Sequence, residues 1–250
     1  VAGTRVQIAS LVTADIQTLI SQIQYLKSQD IFGIHLEGPY LSPKYFGAHD
    51  PALLKQPTIS EIEDLLAAGE GAIKMMTIAP ELPGGIEAIE YLTKQGVITA
   101  IGHSDAKAED TKLAIAAGAK VVTHFNNAMA KLGEPDSLSQ IALESEIYLE
   151  QIQDGQHVSY TDTVTIVKKA SDRIIAITDA MSAAGHGDGK YKIGALDVTV
   201  KDGVARLDAS DSLAGSTLTM KKAFENLINN FGSSLEYASY CASTLPAKAL

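Results

Sequence analysis

The sequence predicts an α/β fold, a parallel sheet wrapped by helices on the scale of a barrel domain. Three observations predict it. Short apolar runs alternate with segments of helical periodicity along most of the 250 residues, giving about seven strand–helix units of roughly 20 to 40 residues each. Four of those runs deliver an acid or a histidine at the same end, finishing on Glu37, His103, His124 and Asp179. That end is where barrels and open α/β sheets put their chemistry. The length suits one barrel-sized domain with a large core.

Arg5 to Val12 reads as the first strand, and Ile16, Leu19, Ile20, Ile23 and Leu26 follow at helical spacing with Thr13 as the N-cap. The Glu37 strand breaks at Gly38-Pro39 into a long loop to about Thr58. Ser60-Glu61-Ile62-Glu63 then opens a helix as a capping box. A strand over 73–79, a helix from Ile86 to Lys94, the His103 strand and a helix from Ala106 to Ala117 come next. Gly118 stops that helix and the His124 strand begins. A Gly/Pro loop and short helix lead to a strand at Ile147 to Ile152, a helix over 161–170 and the Asp179 strand.

After Asp179 the rhythm changes. Gly185, Gly187 and Gly189 mark a loop whose spacing is not a dinucleotide fingerprint. Residues 191–207 alternate around Asp202-Gly203 and read as a β-hairpin. Helices return from Thr217 to about Asn230, with Ser216 as N-cap, and from Leu235 to Ala242. The expected division is a barrel domain over 1–184, a β-hairpin insertion over 185–212 and C-terminal helices over 213–250 packing on the barrel.

The formal charge of −10 and the pI near 5.0 exclude a nucleic-acid surface, whose footprint is basic. A single cysteine, Cys241, makes no internal disulfide, which suits the reducing cytosol and a cytoplasmic location. No apolar stretch approaches the roughly 20 residues that span a bilayer, so no membrane partner is expected.

Two imidazoles and a carboxylate are a ligand set for one divalent ion, Zn or Fe, with positions left open for water. Such an ion brings the water's pKa down toward about 7. Asp179 is then available as base toward that water and acid toward a leaving group. A lone strand-end histidine is more often structural; four matched ends favour the joint reading. His35 lies inside the strand, on the same face as Glu37, and reads as a core histidine. His186 reads as solvated, Glu81 as a rim or salt-bridge residue and Cys241 as packing.

Seven motifs stand in order: His-Leu-Glu-Gly-Pro at 35–39, Gly-Ala-His at 47–49, Gly-His-Ser at 102–104, Thr-His-Phe-Asn-Asn-Ala-Met at 123–129, Asp-Gly-Gln-His at 154–157, Thr-Asp-Ala at 178–180 and Leu-Ala-Gly-Ser at 213–216. Together they resemble the N-acetylglucosamine-6-phosphate deacetylases of the amidohydrolase superfamily. The resemblance implies a (β/α)8 TIM-type barrel that removes acetate from the sugar phosphate, leaving glucosamine 6-phosphate, and works as a homodimer. It implies that Glu37, His103 and His124 hold the metal and that Asp179 is the catalytic acid/base. It places Ala48 and His49 near the acetyl group, Asn127 and Ala128 at the phosphate, His157 at the sugar phosphate, and Leu213, Ala214 and Gly215 along the substrate.

Two departures accompany the resemblance. The family has an Arg in the loop after Asn-Ala-Met, whereas Met129 to Pro135 carries only Lys131, which supplies charge without bidentate geometry. The first barrel strand and both flanking sandwich segments are also missing, so the sheet is expected to expose two unpaired edges. Alternatives are a non-catalytic sugar-phosphate-binding remnant, or an amidohydrolase acting on another N-acyl sugar or a cyclic amide.

Overall fold

Seven parallel strands pair in simple chain order, each with its sequence neighbour. The computed structural model describes residues 3–250. The strands are β1 (Ile8–Val12), β2 (Gly33–Glu37), β3 (Ile73–Ile78), β4 (Ile98–Ile101), β5 (Val121–Val122), β6 (Tyr148–Ile152) and β7 (Ile174–Ile177). Between them run α1 (Ile16–Leu26), α2 (Ile59–Gly69), α3 (Gly85–Lys94), α4 (Ala108–Ala116), α5 (Leu138–Glu144) and α6 (Tyr160–Lys169). Among the described residues β7 does not pair with β1, so the curled sheet stays open with β1 and β7 as its edge strands, as expected.

Period-2 alternation divides each strand between two layers. Ile34, Leu36, Met76 and Ile78 face the helices and pack fully buried against Leu19, Ile23, Ile62, Leu65 and Ile89. Each such side chain contributes about 1.5–3 kcal/mol by leaving water. Met75, Ile98, Ala100 and Val121 face the inside of the curl. There a polar row crosses the sheet: Ser10 Oγ and Thr77 Oγ1 lie 3.0 and 2.8 Å from the two nitrogens of His35, and Thr123 Oγ1 lies 2.8 Å from Thr77 Oγ1. His35 is therefore a satisfied interior histidine, pushed down to about 4 by burial and so neutral.

The caps of the first two helices differ from expectation. α1 is capped by Asp15, which accepts from Thr18 N at 3.0 Å, because Thr13 is turned inward to His49. α2 is capped by Thr58, two residues earlier than the sequence suggests: its Oγ1 accepts from Glu61 N at 3.3 Å, while the Glu61 carboxylate pairs with Lys55 and the reciprocal bond of a capping box is not made.

The expected hairpin is a three-stranded antiparallel sheet: β8 (Gly189–Ile193), β9 (Leu196–Lys201) and β10 (Val204–Leu207). Ile193 pairs with Leu196, so Gly194-Ala195 is a second two-residue turn beside Asp202-Gly203. Val198, Val200, Ala205 and Leu207 form a small core with Met181, Ala183 and Ala214, and Ala48 packs against it. α7 (Met220–Asn229) starts later than expected and is capped by Thr219, not Ser216. α8 (Leu235–Ser239) runs through a wide turn at Tyr240–Thr244 into α9 (Leu245–Ala249). Pro246 lacks an N–H and crowds the carbonyl four residues back, which is a recognised cause of such a widening. Leu245 and Ala249 pack on Ile175 of β7.

Candidate metal centre

Glu37 is the last residue of β2, but the other three strand-end residues stand beyond their strands. β4, β5 and β7 stop at Ile101, Val122 and Ile177, and His103, His124 and Asp179 each follow two residues later. Their φ values are 48, 30 and 48°, a left-handed conformation that breaks the ladder and swings each side chain over the sheet edge. Such conformations cost about 1–3 kcal/mol each and persist where the surroundings enforce them.

The first three of the predicted residues converge. Glu37 Oε1 lies 3.2 Å from His103 Nε2 and 3.0 Å from His124 Nε2, and the two nitrogens are 2.9 Å apart. All three side chains are buried. These are the edges of one face of a coordination shell with bonds of about 2.0–2.2 Å. Among the described residues no other such cluster of His, Cys, Asp and Glu occurs. His103 Nδ1–H donates to Tyr45 O at 2.8 Å, which leaves the Nε2 lone pair facing the triangle. Nδ1 of His124 is buried without a partner. The donor set fits a divalent ion.

Electrostatics agree with a site for positive charge. Burial opposes ionisation of Glu37, but the two imidazoles outweigh it and hold the carboxyl well below its usual range. Burial likewise opposes protonation of His124, yet Glu37 holds it up at about 9. Asp179, half-buried, is pushed up to about 6 by desolvation and by the Glu37 charge. Glu150 on β6, a strand-interior acid with no signal in the sequence, is pushed up to about 8, by burial first and then by Glu37 and Asp179 against His124.

The loop after β2 folds over these ligands. It carries Tyr45, Gly47 and His49, whose ring meets His103 edge-on with centroids 4.6 Å apart. Thr13 N–H can only donate, so its 3.3 Å contact makes His49 Nδ1 an acceptor and puts the His49 proton on Nε2. Burial, with the neighbouring His103, pushes His49 down to about 3, so it is neutral. Thr13 and Tyr45 O were invisible as partners because their roles depend on residues distant in sequence.

The remaining predicted residues fall around this centre. Asn127 N–H is donated to His124 O at 2.9 Å, while among the described residues Ala128 N–H makes no hydrogen bond. Lys131 Nζ donates to Asn126 O at 2.6 Å. Leu213 to Ser216 laces onto the end of β7: Ser216 N–H donates to Asp179 O at 2.7 Å and Met181 N–H to Ser216 O at 3.0 Å. Ser216 Oγ donates to Thr178 O, a tie rather than a cap. His157 is buried with its Nδ1 2.7 Å from Asp154 Oδ2. Glu81 sits on the rim and accepts from Ser104 Oγ and Asp105 N at 2.7 and 2.6 Å, while His186 is exposed and Cys241 buried.

An open, curled parallel sheet with a Glu–His–His cluster at its C-terminal edge is a piece of the TIM-like amidohydrolase fold. No family model matches the chain. A variant N-acetyl-D-glucosamine-6-phosphate deacetylase from Mycobacterium smegmatis, solved in complex with N-acetyl-D-glucosamine-6-phosphate, superposes with a TM-score of 0.97 at 40% identity over 100% of this chain and 68% of that one. The Thermotoga maritima N-acetylglucosamine-6-phosphate deacetylase superposes with a TM-score of 0.90 at 30% identity over 99% of this chain and 69% of that one. The chain belongs to the N-acetylglucosamine-6-phosphate deacetylase family. Among curated relatives, the Vibrio furnissii enzyme of that name is 34% identical over 99% of this chain and 64% of its own length. An Escherichia coli O157:H7 N-acetylgalactosamine-6-phosphate deacetylase is 37% identical over 88% of this chain and 59% of its own. The chain thus spans under two thirds of the length of these curated relatives. No helix among the described residues is long and apolar enough to cross a membrane.

Proposed function

We propose that this chain carries the chemistry of a metal-dependent hydrolase that removes acetate from N-acetylglucosamine 6-phosphate, leaving glucosamine 6-phosphate. The observation behind it is the buried triangle of Glu37, His103 and His124 beside Asp179, on a chain of this family. A zinc or iron ion held by those three residues would activate a water and polarise the acetyl carbonyl. Asp179 takes the proton from the attacking water and returns it to the amine, which is a poor leaving group unless protonated. A pKa about 6 suits both transfers near neutral pH. His49 donates its Nε2 proton to the carbonyl oxygen as negative charge develops there. Ala128 N–H, with Asn127, is offered to the phosphate, and Lys131 supplies the positive charge nearby. His157, Ala48 and Leu213 to Gly215 line the sugar.

In this reading the barrel portion is 1–184, the antiparallel sheet an insertion within 185–212 and 213–250 a helical layer on the barrel. The protein acts as a cytoplasmic homodimer. The test is acetate release by purified protein with added zinc or ferrous ion, alongside metal analysis. Stoichiometric metal with turnover is expected, and Asp179→Asn keeps the metal while losing about 100-fold or more in rate. Sugar-phosphate binding without acetate release in any metal form would instead identify a non-catalytic remnant. The galactosamine epimer belongs in the same assay, because a relative named for it is 37% identical to this chain.

A further inference from the structure

We propose that Glu81 is a positioning residue: its carboxylate clamps the two residues after His103, holding the left-handed turn that aims this ligand at the metal and tying that turn to the one at Asn127 and Ala128. This rests on the metal reading above for the purpose of the turn.

The clamp starts from the backbone after β3. Leu82 N–H donates to Ala79 O at 3.2 Å, closing a turn in which Pro80 takes the second place and Glu81 the third. Proline presets the backbone angle there. Gly85 lies so close behind that an added Cβ would stand 2.7 Å from Pro80 O, so the turn is packed as well as bonded.

Both carboxylate oxygens of Glu81 are engaged. Oε2 accepts from Ser104 Oγ at 2.7 Å and Oε1 from Asp105 N–H at 2.6 Å. Ser104 is fully buried, and its hydroxyl, having given its one proton to Glu81, accepts from Ala106 N–H at 3.0 Å. Among the described residues no cation pairs with Glu81; Lys44 and Lys107 go to Asp105, at 2.8 and 3.2 Å. This rim acid therefore works through hydrogen bonds to the next strand's turn and not through an ion pair.

His103 stands between two restraints that together enforce its φ of 48°. Ahead of it, Gly102 packs where a Cβ would stand 2.8 Å from Thr123 Cβ. Behind it, Glu81 holds Ser104 and Asp105. Ser104 N–H donates in turn to Ala128 O at 3.3 Å, and Ser104 forms a parallel bridge with Met129. The motif Gly-His-Ser is thus used whole: the first residue permits close approach, the second reaches the metal, and the third links that ligand to the turn beyond β5.

Glu81→Ala removes both acceptors and strands the Ser104 hydroxyl and the Asp105 N–H. Glu81→Gln keeps the clamp in altered form, its amide oxygen accepting from Asp105 and its NH2 donating to the Ser104 oxygen. Arg173→Met is the comparison for general weakening, since Arg173 precedes β7 at the opposite end of the sheet. Amide hydrogen exchange of the metal-free protein, read by NMR, should be about tenfold faster at Ser104 and Asp105 in Glu81→Ala, the loss of about one hydrogen bond, and near wild type in the other two. Zinc titration against a chromophoric chelator should show affinity lowered about tenfold in Glu81→Ala and within about twofold of wild type in Glu81→Gln and Arg173→Met. Ser104→Ala removes one arm only and should weaken zinc about fourfold, which keeps the test open if Glu81→Ala does not fold.

Unchanged zinc affinity in Glu81→Ala or in Ser104→Ala, or an equal loss in Arg173→Met, overturns the positioning role. A loss in Glu81→Gln as large as in Glu81→Ala overturns it too. Unchanged exchange at Ser104 in Glu81→Ala overturns the tie to Ala128. Wild-type protein that binds no zinc sinks the metal reading, while exchange at Asp105 still decides whether Glu81 holds the turn.

Discussion

Replacing Gly47 by Ala tests how the loop after β2 sets the metal ligands. Gly47 has φ 57°, where an L side chain adds about 1–2 kcal/mol of backbone strain. The new Cβ would stand 2.9 Å from His103 Cε1 and 3.4 Å from Nδ1. The ring can retreat only by stretching its 2.8 Å bond to Tyr45 O, the bond that aims Nε2 at the triangle. Disturbing such an orienting partner lowers metal affinity about 10- to 100-fold, or roughly 1.4–2.7 kcal/mol. Gly71→Ala is the control, since Gly71 has φ 86° and nothing within 4 Å of the added Cβ. The assay is zinc titration of metal-free protein against a chromophoric chelator, with urea unfolding of the same samples. Both variants should lose about 1–2 kcal/mol of stability, and only Gly47→Ala should lose zinc affinity. Zinc affinity within twofold of wild type, or an equal loss in both variants, would refute the reasoning.

Three further outcomes follow from the same geometry. His124, held up at about 9, carries a proton at pH 7 that a cation must displace, so zinc binding should release about one proton; calorimetry in buffers of different ionisation heat reads this, and no buffer dependence would contradict the pairing with Glu37. His35 is pushed from 6.5 down to about 4, so between those values the unfolded chain binds a proton that the folded chain does not. Stability of the metal-free protein therefore rises as pH rises through that window and is lost as pH drops from 6.5 toward 4, by up to about 1.4 kcal/mol per unit from this residue, and His35→Gln should flatten the urea-unfolding profile by that amount. A variant profile parallel to wild type would remove His35 from the account. Arg173 donates to the carbonyls of Ala142, Ile147 and Leu143 at 3.1, 3.1 and 2.6 Å; Ala142 O keeps its bonds from Ser145, so Arg173→Met deprives the other two buried acceptors of this donor and should cost about 2 kcal/mol in urea unfolding, and a change under about 1 would show that water replaces it.

The strands were legible because each is a short apolar run between helical periods, and the cluster of Glu37, His103 and His124 was legible because all three fall near the same end of their strands, whereas Glu150, inside β6, gave no such signal. What the pattern hid was where the strands stop. A histidine in a left-handed turn looks, in sequence, like one more residue of the run before it, which is why His103 and His124 read as strand ends. Thr13 and Asp15 both offer an oxygen ahead of α1, and only the approach of His49, 36 residues later, decides between them. β8 was missed although Gly194 marked its turn, because the alternation of β8 continues visually into β9. The Asp154 to His157 bond could have been noticed, since three residues separate them in one turn motif, but spacing alone does not say that the side chains meet.

The left-handed turns at His103, His124 and Asp179 carry an implication for how such a chain changes over generations. Glycine adopts that conformation without strain, so at each position it would relieve about 1 kcal/mol of backbone energy. Selection for stability alone would push all three toward glycine, and the order in which they yielded would record which chemical role was abandoned first. This chain has His, His and Asp there, side by side with twenty glycines elsewhere. The C-terminal edge of the sheet is thus a region where folding and the proposed chemistry pull in opposite directions, and a glycine scan of the three sites would measure that opposition directly, as stability gained against any loss of metal binding and turnover.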